Sequence, residues 1–205
     1  MQHHPLVDPR GDHFLHCPCG GDRIRRHNAL RKEFSSLSNM AGIKTQAEPT
    51  QFVFTDHPVL LLFNPFTVSS TGRHVTFDFA VTHPCTTTAL RRHSDVVAGK
   101  AADILFKNKE SYYSDYASKN NLDCYGIIFE TFGYCHPVSS SWILKLATQA
   151  AKVHGYHPSV LVSYWCRRLS VALQRANASM VLNCISSSLG VRKCSVEADF
   201  FADNC

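Results

Sequence analysis

Apolar residues recur at two different periods along the chain, and the period switches from segment to segment. From Asp22, the residues Ile24, Leu30, Phe34 and Leu37 fall on one helical stripe, Asp22 can cap its start, and Gly42 closes its end. Strand signals follow. Gln51 to Thr55 is β-rich, and Pro58 to Phe63 is a short apolar run. Arg73 to Thr82 alternates, with Val75, Phe77, Phe79 and Val81 on one face and His74, Thr76, Asp78 and Ala80 on the other. Asn64-Pro65 and Ser69-Ser70-Thr71-Gly72 are the turn signals between the last two strands. Ala98 to Lys119 reads as a helix, and Asp123 to Thr131, with Tyr125, Ile127, Ile128 and Phe129, as a buried strand. Two more helices are predicted, over Ser139 to Val153 and from about Ser159 to Ser187, the second with Leu161, Trp165, Leu169, Leu173 and Met180 at helical spacing. A helix between strands demands a crossover, which predicts a mixed α/β layer.

Length and composition narrow this further. A chain of 205 residues suits one domain. The expected division is an irregular segment over 1–21, a domain over 22–190 and a tail over 191–205. Hydrophobic residues make up 44% and charged residues 18%, which excludes global disorder. The longest apolar run, Val59 to Phe63, is far too short for a membrane span. Nine cysteines are an odd, scattered set, and Met1 to Pro5 has neither a basic nor an apolar leader region, so reduced thiols in an intracellular setting are expected. A formal charge of +5, with 12 His in reserve, is compatible with a polyanionic partner without requiring one.

The densest chemistry lies between His13 and Arg31. His13, His16, Cys17 and Cys19 offer zinc the right atoms at poor spacing, because Cys-x-Cys rarely directs both thiolates to one ion. His13, Cys17 and Cys19 are the candidate Zn²⁺ ligands. They open into a basic helix in which Arg23, Arg25, Arg26, His27 and Arg31 are candidate phosphate contacts.

The block Gly20-Gly21-Asp22-Arg23-Ile24-Arg25-Arg26-His27-Asn28-Ala29-Leu30-Arg31 resembles the region after the zinc knuckle in non-LTR retrotransposon polyproteins that carry a C-terminal restriction-endonuclease-like domain. The resemblance continues in order through Asn64-Pro65-Phe66, Gly72-Arg73-His74-Val75 and Asp78-Phe79-Ala80-Val81-Thr82. It then takes in Asn108-Lys109 with Tyr112-Tyr113, Phe129-Glu130-Thr131-Phe132-Gly133, and the helix from Tyr164 to Ala178. It implies a PD-(D/E)xK-type αβββαβ core with two additional C-terminal helices, a DNA or RNA partner, ancestral linkage to a reverse transcriptase and a nuclear location. The implied activity is Mg²⁺- or Mn²⁺-dependent nicking of DNA for target-primed reverse transcription.

Carried over residue by residue, Asp78 is a metal ligand, Lys109 the catalytic cation and Tyr113 its neighbour four residues on. Pro58-Val59 stands where the family has Pro-Asp, and valine cannot ligate a metal, which marks this copy as degenerate. Asp56 and Glu33 are the candidate substitute acids, with Asp56 joining Asp78 on Mg²⁺. Losing one of two carboxylates removes about half the protein charge on the ion. The alternative expectation is a non-catalytic nucleic-acid-binding or structural module that keeps the core and not the metal site.

Overall fold

The computed structural model describes residues 11–17, 21–47, 60–63 and 73–188. In chain order the elements are α1 (Asp12–His16), α2 (Asp22–Met40), β1 (Thr45–Ala47), β2 (Leu60–Phe63), β3 (His74–Thr82), α3 (Thr87–Leu90), α4 (Lys100–Lys119), β4 (Leu122–Glu130), α5 (Pro137–His154) and α6 (Pro158–Ser188). One sheet runs β1-β2-β3-β4. Its first two pairings are antiparallel, and β3 and β4 are parallel, with α4 as the crossover. The fold is mixed α/β.

The alternating face of β3 explains the core. Phe77 and Phe79 meet Phe34 of α2 at ring separations of 5.2 and 5.3 Å, and Phe77 meets Trp142 of α5 edge-on at 4.9 Å. Leu30 and Leu37 of α2, Leu146 of α5, and Leu161, Trp165, Leu169 and Leu173 of α6 complete this cluster. The other face of β3 is buried as well, because α4 lies across it: Thr76 and Asp78 are both inaccessible. No helix among the described residues is long and apolar enough to cross a membrane.

Local chemistry sets the ends of α4. Gly99 precedes it at φ 76°, and a Cβ there would lie 2.1 Å from Cζ of Tyr134, so only glycine fits. Glu130, at the end of β4, accepts a hydrogen bond from the Ala102 backbone N–H at 3.0 Å, supplying the first turn with an acceptor that its own N-cap lacks.

Several expectations change. Residues 12–16, expected to be irregular, form α1, which packs against α6. The three-residue β1 was not foreseen, and the Gln51 to Thr55 strand lies outside the described residues. Ile24, placed on the apolar stripe of α2, is 65% exposed, while Asp22 and Arg26 are buried. The buried line is Asp22, Arg26, Leu30, Phe34 and Leu37, a stripe rotated toward residues whose polarity disguises it.

Candidate functional site

Asp78 projects from the middle of β3 toward α4, where Lys109 and Tyr113 stand one turn apart on the same helical face. Its Oδ2 is ion-paired with Lys109 Nζ and accepts a hydrogen bond from Tyr113 Oη at 2.8 Å. The aspartate is 5% exposed. Burial pushes the Tyr113 hydroxyl far above its ordinary pKa, and the neighbouring Asp78 charge adds to the shift, so Tyr113 stays a donor. Beside this group Thr76 Oγ1 donates to Cys124 Sγ at 2.9 Å, and burial raises the thiol pKa.

His27 of α2 stands edge-on to Phe79 with ring centroids 6.1 Å apart. Burial lowers its pKa, while Asp78 pulls it up and Lys109 pulls it down, so both charges reach it. The strands and α4 thus bring together three of the expected site residues, Asp78, Lys109 and Tyr113.

A second acid does not join them among the described residues. The register partner of Asp78 on β2 is Leu60, a residue without a ligand atom. The Glu33 carboxylate is engaged by Arg168 of α6, through Nε and, at 3.5 Å, through Nη2. Asp56 lies outside the described residues. Mg²⁺ prefers several oxygen donors around one ion. Here one carboxylate already carries an ammonium and a phenol, so the described residues do not fit the metal centre that the resemblance implies.

The basic helix also divides. Arg23 and Arg25 are exposed, the latter held by Asp22 at 2.9 Å through Nε; His27 and Arg31 are half-buried. Arg26 is a correction: at 3% exposure it cannot reach a phosphate. Its Nη1 donates to Leu15 O at 2.9 Å and Asn177 Oδ1 at 2.8 Å, and burial, with Arg23 behind it, brings its pKa down to about 10. Asn177 passes the connection on, donating through Nδ2 to Thr131 O at 2.8 Å.

Of the expected zinc ligands, Cys19 lies outside the described residues, Cys17 is buried, and the His13 ring rests against Phe14 and His16. Neither His13 nor Cys17 enters the one group of three donors found among the described residues, Asp12, His83 and Cys85. Sequence spacing attached no role to His83; the two-residue step in His83-Pro84-Cys85 was the available signal. A cleft of about 230 Å³ opens nearby, lined by Thr82, Thr86, Thr88, Arg92 and Asn108, among others. No family model, curated protein or solved structure matches the chain.

Proposed function

We propose that this chain is a nucleic-acid-binding domain of restriction-endonuclease-like architecture, derived from the C-terminal end of a non-LTR retrotransposon polyprotein, in which metal-dependent nicking has been lost. The order α2-β1-β2-β3-α4-β4 supports the architecture, since it is the αβββαβ succession with α5 and α6 appended.

One observation carries the loss of cleavage: Asp78 is closed off by Lys109 and Tyr113 at a position whose neighbour across the sheet is Leu60. A nuclease lysine has to face the water or phosphate. In this chain it neutralises Asp78, the one expected metal-binding acid at this place among the described residues. Binding needs no metal. Arg23, Arg25 and Lys32 are exposed on α2, Arg91 and Arg92 are exposed after α3, and the threonine-lined cleft offers hydroxyls and a guanidinium to a phosphate.

The test pairs two assays on the full chain. Fluorescence anisotropy with duplex and single-stranded DNA at 50 and 200 mM salt is expected to give binding that weakens steeply with salt, by about tenfold or more for several phosphate contacts. Supercoiled plasmid with Mg²⁺ or Mn²⁺ is expected to stay intact. Binding that is absent or indifferent to salt refutes the nucleic-acid role, and nicking that disappears in Asp78→Asn refutes the loss of activity.

A further inference from the structure

At the far end of β3 a second cluster stands apart from Asp78. Asp12, in the first turn of α1, meets His83 and Cys85, which directly follow β3, and the ligand atoms the three residues offer lie within 4.8 Å of one another. His83 is 3% exposed, and its two ring nitrogens have different fates. Nδ1 lies 2.7 Å from Thr131 Oγ1. Nε2 is buried and points into the cluster, where it faces Asp12 Oδ1 at 3.3 Å without an aligned hydrogen bond. The cluster thus presents an imidazole nitrogen, a carboxylate oxygen and a thiol sulfur to one small volume.

We propose that Asp12, His83 and Cys85 form a zinc site that fastens α1 to the end of the sheet. One carboxylate, one imidazole and one thiol are donors that Zn²⁺ accepts together, whereas Mg²⁺ and Ca²⁺ take oxygen alone. Tetrahedral bonds of about 2.1 Å place neighbouring nitrogen and oxygen ligands about 3.4 Å apart, close to the 3.3 Å between His83 Nε2 and Asp12 Oδ1. The Thr131 hydroxyl supplies the partner that orients a ligating imidazole and directs its lone pair through Nε2. Thr131 is itself rigid: its N–H donates to Thr82 O at 2.9 Å, and its carbonyl accepts from Asn177.

A nucleophile–base–acid relay is a poorer fit. It needs the thiol and the carboxylate on opposite ring nitrogens, and Thr131 occupies Nδ1. Binding releases the Cys85 thiol proton to solvent as the thiolate–zinc bond forms. The three protein ligands leave one of four positions for water. This site is not the expected His13, Cys17 and Cys19 set, and it does not depend on the chain binding nucleic acid.

The test uses the full chain, stripped with chelator and titrated with Zn²⁺ by calorimetry and with Co²⁺ by absorption. One ion per chain is expected, with a sulfur-to-cobalt charge-transfer band and a Tm that rises on metal addition. Cys85→Ser is expected to remove the band and the Tm rise, and Asp12→Asn to weaken binding by at least tenfold. Thr131→Val is expected to weaken it about 10- to 100-fold. Cys85 and Asp12 are only partly buried, so both variants keep the fold, which far-ultraviolet circular dichroism verifies. Substoichiometric metal overturns the proposal. So does a cobalt band that survives Cys85→Ser and vanishes in Cys17→Ser or Cys19→Ser.

Discussion

Replacing Lys109 with methionine keeps most of the side-chain volume and removes the cation from Asp78. The Asp78 side chain is 6% exposed and that of Lys109 23%, so the pair is shielded on the acid's side and partly wet on the other. Removing one partner of a buried pair costs about 3–5 kcal/mol because the other charge is stranded. The wet ammonium and the remaining Tyr113 hydrogen bond place this one at the lower end, about 3 kcal/mol. For a chain of this size that corresponds to a Tm about 6–12 °C lower. The double variant Asp78→Asn/Lys109→Met strands no charge and is expected to recover most of the loss. Urea unfolding followed by the fluorescence of Trp142 and Trp165, both in the core, reads all the variants in one assay. A loss below about 0.5 kcal/mol for Lys109→Met, or a double variant no more stable than the single, refutes a structural ion pair and returns Lys109 to the list of residues available for chemistry.

Arg26→Met leaves Leu15 O and Asn177 Oδ1 without their donor and is expected to cost about 3 kcal/mol in urea while DNA affinity per folded molecule stays unchanged. Arg23→Ala should do the reverse, leaving stability alone and lowering the salt slope of DNA binding by about one unit. Gly99→Ala adds a left-handed-backbone cost of about 1–2 kcal/mol to a collision with Tyr134, and thermal melts should show part of it relieved in Gly99→Ala/Tyr134→Ala.

Stability is also expected to depend on pH through His27 and His136, whose pKa values burial holds below their ordinary 6.5. His136 stacks on Phe106 at 4.2 Å, and its Nδ1 accepts from Val138 N–H to cap α5, an acceptor that protonation abolishes. Asp103 and Glu110 pull its pKa up and Lys107 pulls it down, without reversing the direction. A folded-state pKa below the unfolded one means the stabilisation is complete above about 6.5 and drains away as pH falls through the lower folded value. Urea midpoints that are flat from pH 7.5 to 5 contradict this.

Periodicity located most elements closely. The Arg73 to Thr82 alternation became β3 over His74–Thr82, and the long closing helix began within a residue of its expected start. What failed did so for physical reasons. Alternation sorts Thr76 and Asp78 onto the more polar face of β3, but nothing local announces that α4 covers and buries it. Arg26 looked like a phosphate contact because its partners, Leu15 and Asn177, lie 11 and 151 residues away. Glu33 looked available because Arg168 is 135 residues off. The Asp78, Lys109 and Tyr113 group was reached through family resemblance, since neither an aspartate on a strand nor a lysine on a helix is distinctive alone. His83 and Cys85 were passed over because the third donor, Asp12, comes from α1, far upstream in the chain and in a segment expected to be irregular.

Asn177 has one further effect. Leu161, Trp165, Leu169 and Leu173 repeat every four residues, so sliding α6 along its neighbours by one turn, about 5.4 Å, would set leucine where tryptophan was and lose little oily contact. The amide is the next step of that ladder, and its two ends differ: the oxygen takes Arg26 and the nitrogen gives to Thr131. Neither a shifted nor a flipped amide satisfies both neighbours. A single polar rung therefore indexes a helix of 31 residues that its greasy rungs alone would leave free to slip.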